Sequence, residues 1–475
     1  MKNYSLKNLT KKFIISICFL QTVFADLSYE LVEAKSDMPQ ITFSTSGSNH
    51  SITEGLNNTI LDDFTKSGEF IVNRDSIIPS IDSLTNLHNK GVKYFVTITH
   101  DAKLSSKNQL TIQVFSLDTS KNIDFVSPIA VKKFQFDDVD YEDFAHVASD
   151  FIYKLIQGYP SNFTSKIAYV SKKTRPGMES VYQLEVADYN GKNSAVILQT
   201  KTPIISPKWS PDSKKIAYVS YESNKAEIYI QDVLTGNRSL FSAEEGANSS
   251  PSWSYDGKDI ALVLTKSGIS KIYTKSLFFK KLQNITAANN SDLDDSLENI
   301  SSTASYSKSS IDGYAIDTEP FWSNNNSEIF FTSNRGHSPQ VYRYSFIDKS
   351  IDRISFRGDY NASPQITSDN KNLIMLHRER GLFSIAKQDL YDGKLYIISS
   401  DGYEESPAIS ANNKIVAYAT KYAARGIIGI VSLDGIIKWR LLSLYGDIQD
   451  PSWSGIDENI DKYEIANNSF KGVYQ

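Results

Sequence analysis

Ser206-Pro207-Lys208-Trp209-Ser210, Ser250-Pro251-Ser252-Trp253-Ser254, Glu319-Pro320-Phe321-Trp322-Ser323, Ser363-Pro364-Gln365-Ile366-Thr367, Ser406-Pro407-Ala408-Ile409-Ser410 and Asp450-Pro451-Ser452-Trp453-Ser454 are six copies of one phrase. Their prolines are 44, 69, 44, 43 and 44 residues apart. A repeat of this length signals a propeller or solenoid array. After the phrase comes a turn signal, such as Asp212-Ser213, Asp256-Gly257, Asn325-Asn326, Asp369-Asn370 or Asn412-Asn413. Asp and Asn tolerate left-handed backbone, and Asp-Gly favours tight hairpins. A short apolar, β-branched run follows, as in Lys215 to Val219 or Asp259 to Leu264, then a third run such as Ile228-Tyr229-Ile230, and a fourth. Four short strands per repeat describe a propeller blade.

The unmatched copies give the closure. Lys166-Ile167-Ala168-Tyr169-Val170 repeats the second run with no proline phrase before it, and the phrase at Pro451 has no second run after it. The last strand of the chain is therefore expected to complete the blade begun near residue 166. The result is a ring of six blades, in which only short, protected sheet edges remain. Trp209, Trp253, Trp322 and Trp453, with Ile366 and Ile409 at the same place, are expected to fill the contacts between blades. The residues before the prolines are Ser206, Ser250, Glu319, Ser363, Ser406 and Asp450. Two readings stand for them: an extended approach to proline, or the polar lining of a channel mouth.

The first 25 residues read as a cleaved secretory signal. Lys2, Lys7, Lys11 and Lys12 form a basic head, Phe13 to Phe24 a short apolar run, and Val23-Phe24-Ala25 the cut. This segment holds four of the 50 basic residues, none of the 55 acidic ones and the single cysteine, Cys18, so the rest is cysteine-free with a formal charge of −9. Export without disulfides fits a bacterial periplasm. No basic stripe points to nucleic acid, and nothing after residue 25 is apolar for long enough to span a membrane.

Residues 26–160 lack the repeat. Ile52, Leu56, Ile60 and Phe64 mark an amphipathic helix ending near Gly68, and Phe144, Val147, Phe151 and Leu155 a second one ending at Gly158. Lys93 to Thr99 and Gln109 to Leu117 read as paired strands. This is a small α/β domain ahead of a propeller over 163–455. Residues 26–38 alternate at Leu27, Tyr29 and Leu31, as an edge strand or as a mobile arm that adds to a partner's sheet. Asn284 to Asp312, dominated by Asn, Ser, Asp and Thr, reads as a disordered insertion, and 456–475 as an irregular tail.

The sequence carries little chemistry. There is no G-x-S-x-G elbow, no phosphate-binding glycine loop and no metal-ligand spacing among His50, His88, His100, His146, His337 and His377. His146, inside the second helix, is expected to be structural. Glu404-Glu405 and the carboxylates from Asp447 to Asp450 keep one enzymatic alternative open, a secreted propeller acting on glycans or peptides. No metal or cofactor is expected.

Ile385-Ala386-Lys387-Gln388-Asp389-Leu390 is the most specific of several segments that resemble the TolB family of periplasmic propellers of bacterial Tol–Pal systems. Val186 to Asn193, Thr318-Glu319-Pro320, Pro339 to Tyr342, Val431 to Gly435, Lys66 to Phe70 and Ala148-Ser149-Asp150 are also similar, and the likeness runs over about 41–455. The resemblance implies a non-catalytic, monomeric scaffold. Its propeller mouth would bind the peptidoglycan-associated lipoprotein Pal, with other outer-membrane lipoproteins or bacteriocins as further ligands, and its N-terminal arm would bind TolA. Carried over by position, Thr318 and Glu319 match the family's mouth motif, with Ser249 and Ser250 at the equivalent place in the preceding blade. Ser206, Ser363, Ser406 and Asp450, before the other prolines, complete the expected mouth, and Asp26, Leu27, Tyr29 and Leu31 are the expected arm. A family histidine before Pro251 is replaced here by Gly246-Ala247-Asn248.

Overall fold

The computed structural model describes residues 27–456 except 103–106, 118–126, 138–140, 175–176, 267, 280, 287–313, 400 and 444–445. The signal segment, Asp26, most of the insertion and the tail from 457 lie outside the described residues.

Six sheets of antiparallel strands form the propeller. Blades 2 to 5 begin with Ile204–Trp209, Asn248–Trp253, Asp317–Trp322 and Tyr360–Ile366, and each adds its next three strands in chain order. Blade 6 begins at Glu405–Ile409. Blade 1 takes its innermost strand from the end of the chain: Asp447–Trp453 pairs with Lys166–Lys173. The closure expected from the unmatched repeats is therefore the observed one.

Trp209 is buried with Val170 and Tyr218, Trp253 with Ile230 and Ile260, Trp322 with Val263 and Phe331, and Trp453 with Ile167 and Ala417. Each indole thus sits between adjacent blades. Two of them also donate across the blade boundary, Trp253 Nε1 to the Lys208 carbonyl at 3.0 Å and Trp322 Nε1 to that of Ser252 at 3.2 Å.

The N-terminal domain is a mixed five-stranded sheet in the order Ile71–Asp75, Gln40–Gly47, Val92–Ala102, Asn108–Ser116, Ala130–Phe136. Helices α1 (His50–Lys66) and α3 (Tyr141–Gln157) share its main core through Leu56, Ile60, Phe64, Phe144 and Ile152. Helix α2 (Ile81–Asn89) forms a separate cluster through Leu84 and Leu87 with Phe95 and Phe115. The main core continues without a break into blades 6 and 1, through Phe163, Tyr189, Ile437 and Trp439.

The N-terminal segment is a docked strand here rather than a free arm. Leu27–Glu33 pairs antiparallel with Lys438–Ser443 and becomes the fifth, outermost strand of blade 6. Tyr29 packs edge-on against Tyr189, and the Lys66 ammonium lies over its ring. Glycines make room for the strand: a Cβ on Gly191 would stand 2.9 Å from the Leu27 Cβ, and one on Gly68 would stand 3.1 Å from Leu31 Cδ1. Both glycines have positive φ, 80° and 70°, so side chains are excluded there twice over. The insertion begins later than composition indicates, because Leu282–Asn284 is the fourth strand of blade 3 and Ile285 and Thr286 are buried.

Candidate binding site at the channel mouth

The six residues before the prolines share one backbone conformation, and it is not extended. Ser206, Ser250, Glu319, Ser363, Ser406 and Asp450 have φ of 54°, 49°, 55°, 50°, 49° and 53°. This left-handed region is costly for a residue with a Cβ, by about 1–2 kcal/mol each. A following proline disfavours helical backbone further. The reading of these residues as an extended approach to proline is therefore overturned.

The cause lies in the pairing of the innermost strand. In every blade the register slips at this point, for example between Ile205 and Lys208 and between Thr318 and Phe321, so the polar residue and its proline together face one residue of the next strand. Such a bulge bends the strand and re-aims its side chains. Proline is tolerated because the innermost strand is a sheet edge and needs no N–H donor on its channel side.

The six bulges, with their prolines, enclose a cavity of about 100 Å³ at one end of the channel. Ser206, Ser250, Glu319, Ser363, Ser406 and Asp450 all line it and are partly buried. Thr318 and Ser249 do not; each precedes its bulge and pairs with the neighbouring strand, opposite Thr332 and Val263.

The two carboxylates tie blades together. Glu319 Oε2 accepts from Thr332 Oγ1 at 2.7 Å and from the Ser363 amide at 2.9 Å, while Oε1 accepts from Ser363 Oγ at 2.7 Å. Asp450 spans both its neighbours, accepting from the Ser206 amide at 3.2 Å and from Ser406 Oγ at 2.9 Å. Below them Lys208 projects from the next position of blade 2, at the waist of the channel. Burial holds its ammonium below the ordinary lysine range, against the opposing pull of Asp450 and Glu319. Nothing in the sequence singled out Lys208, since one lysine in a repeat position looks like any other.

Beyond the waist the channel widens to about 560 Å³, walled by Trp209, Trp253, Trp322 and Trp453. Two of the other carboxylates noted in the sequence are used locally, and Glu405 is exposed. Glu404 accepts from Ser399 Oγ and the amides of Asp401 and Gly402 at 2.6–2.8 Å, and Asp447 accepts from the Gly426 amide at 2.8 Å. Asn248, where the family histidine would be near, is buried and accepts from Ser242 Oγ at 2.7 Å and the Glu244 amide at 3.0 Å. Among the described residues no group of three or more His, Cys, Asp or Glu side chains is placed to hold a metal ion. No described helix is long and apolar enough to cross a membrane.

The arm residues form no site with the mouth. Leu27 and Tyr29 are half-buried and Leu31 is exposed, all on the outer edge of blade 6. His146, as expected, is structural: its Nδ1 lies 3.0 Å from Asp63 Oδ2.

Fold and mouth together define a class, a six-bladed propeller behind an N-terminal α/β domain whose channel opens through a ring of strained polar residues. The family pattern described as "TolB beta propeller domain" matches residues 153–306 and 297–457. The Tol-Pal system protein TolB of Legionella pneumophila is 36% identical over 446 residues, 93% of this chain and 98% of that one. That of Pseudomonas aeruginosa is 32% identical over 314 residues, 66% of this chain and 67% of the other. The crystal structure of TolB from Acinetobacter baumannii superposes with a TM-score of 0.77 at 28% identity, covering 90% of this chain and all of that one. The chain belongs to the TolB family.

Proposed function

We propose that this protein is a non-catalytic periplasmic component of a Tol–Pal system, exported by its N-terminal signal. In this reading it binds the lipoprotein Pal at the channel mouth and TolA through the N-terminal arm, and so supports outer-membrane integrity and constriction at cell division. The observation that carries the reading is the ring of six left-handed residues around the mouth. Strain repeated at every blade persists where surrounding structure holds it for a purpose. Here it points two carboxylates and four serines into an open cavity, which suits polar groups on a protein surface better than a reaction centre.

The arm supports the second half of the reading. It is the outermost strand of its sheet, and strand addition at such an edge is a common mode of peptide recognition. Calorimetric titration of the mature protein with the soluble domain of its own Pal tests the central part. A one-to-one complex is expected, and no detectable heat at about 50 µM of each protein would contradict it.

A further inference from the structure

The loop between the third and fourth strands is a tight hairpin in every blade. It is closed by a backbone bond from the last residue of the third strand: Asp188 to Lys192, Asp232 to Asn237, Ser276 to Lys281, Ser345 to Ser350, Asp389 to Lys394 and Ser432 to Ile437. The third strand runs parallel to the innermost one, since both are antiparallel to the strand between them. All six hairpins therefore emerge on the face opposite the mouth.

Two residues past the donor stand Asn190, Leu234, Phe278, Ile347, Tyr391 and Asp434. The polar pair belongs to blades 1 and 6, which carry the N-terminal domain. There Tyr189 and Lys192 reach Asp63 and Asp62 of α1 at 3.0 and 2.8 Å, and Ile437 packs at Gly68. The four remaining blades place a large apolar side chain at the tip and leave it bare: Leu234 is 95% exposed, Phe278 73%, Ile347 85% and Tyr391 100%. Phe279, beside Phe278, is 75% exposed. The residue just before each tip, Val233, Leu277, Phe346 or Leu390, is partly buried, so the blade's own packing is already served without the tip residue.

Exposed apolar residues scattered singly call for no explanation. Four at one repeat position, in four consecutive blades and on one face, do. We propose that these hairpin tips are a membrane contact, entering the interfacial layer of a phospholipid bilayer while the mouth on the opposite face stays free. The tips are separate knobs, one per blade, and not a continuous patch. A protein partner would need a matching pocket for each knob, whereas the interfacial layer accepts apolar side chains wherever they fall, and favours aromatic ones.

The charges on this face largely balance one another, so the contact rests on the apolar tips. Lys281, Lys349 and Lys394 lie in the tip hairpins, and Lys214, Lys258 and Lys371 in the adjoining turns; all six are exposed. The carboxylates of those turns fold back: Asp212, Asp256 and Asp369 accept the amides of Lys214, Lys258 and Lys371 at 3.2, 3.1 and 3.0 Å, and Asp389 accepts that of Tyr391 at 2.7 Å. Lys258, Lys371 and Lys394 pair with Asp256, Asp369 and Asp392 at 3.2, 3.9 and 2.7 Å, and Asp348 stands beside Lys349. The contact is independent of what occupies the mouth.

Flotation of the mature protein with vesicles of phosphatidylethanolamine and a minority of phosphatidylglycerol tests it. The wild type is expected to float with the lipid. Replacing the four tips together (Leu234→Ser, Phe278→Ser, Ile347→Ser, Tyr391→Ser) is expected to weaken partitioning about tenfold or more, since the apolar area is lost. Leu234→Ser and Tyr391→Ser alone are each expected to weaken it about two- to threefold, which keeps the test open should the fourfold variant fold poorly. Glu319→Lys at the mouth is expected to leave flotation unchanged. A wild type that stays with the aqueous phase, tip variants that float as well as wild type, or flotation only when Pal is anchored in the vesicles would overturn the proposal.

Discussion

Two polar clusters of this molecule, one at the domain junction and one at the mouth, are built in opposite ways. At the junction of the N-terminal domain with blades 6 and 1, Asp63 is fully buried and both its oxygens are used, one by His146 Nδ1 and one by the Tyr189 hydroxyl, each at 3.0 Å. Aromatic rings seal the site: Tyr189 packs against Phe163, Tyr29 and His146. At the mouth, Glu319 and Asp450 are just as well bonded, but their residues are strained and face an open cavity. A sealed polar network in relaxed backbone acts as a lock. An open one in strained backbone keeps donors and acceptors available to a ligand. Polar satisfaction alone does not separate the two; strain and access do.

The largest expected effect sharpens that contrast in stability. Asp63→Ala leaves a buried imidazole and phenol without their partner and is expected to cost about 3–5 kcal/mol. Glu319→Ala, whose stranded donors can turn to water in the cavity, is expected to cost about 1 kcal/mol. Urea unfolding of both variants measures the difference, and equal losses would remove the distinction between lock and mouth.

The pH dependence of the lock comes next. Burial disfavours the His146 imidazolium, but Asp63, aided by Asp188 and opposed by Lys166, outweighs it and raises the pKa above the ordinary 6.5. A raised folded pKa contributes stability that is complete below the unfolded value and is lost as pH climbs through the folded one. Stability is therefore expected to fall as pH rises from about 6.5 through the raised pKa, and His146→Gln is expected to flatten that slope. An unchanged slope in the variant would assign the dependence to other groups.

The smallest effect has the opposite sign. Ser250 holds φ at 49°, and Ser250→Gly relieves the left-handed cost. It is expected to raise stability by about 0.5–1 kcal/mol, less than the full strain because glycine loses more entropy on folding. A loss of stability would show that the ring is not strained at that blade.

The repeat was legible because its signals are local: a proline, a turn and an apolar run recur within each blade, and counting them gives both the number of blades and the closing strand. The two long helices of the N-terminal domain were legible from apolar steps of three and four residues. Helix α2 was not, because only Leu84 and Leu87 are buried in its nine residues. The alternation at Leu27, Tyr29 and Leu31 reads as a strand, but its partner lies more than 400 residues away at Lys438–Ser443, beyond any local signal. Asp63, His146 and Tyr189 meet across three elements for the same reason. At the mouth the polar positions were readable and their conformation was not, since serine before proline suggests extended chain and only the bulge in the closed ring forces it left-handed.

The claim that the strained ring is the binding surface is tested most directly by titrating the soluble Pal domain into the wild-type protein and into Glu319→Lys, with thermal unfolding of both recorded alongside. The reversed charge is expected to weaken the complex about tenfold or more while the protein stays folded, losing only the ~1 kcal/mol that goes with the Glu319 hydrogen bonds. Equal affinity of the two proteins for Pal would contradict the assignment and move the contact away from the mouth.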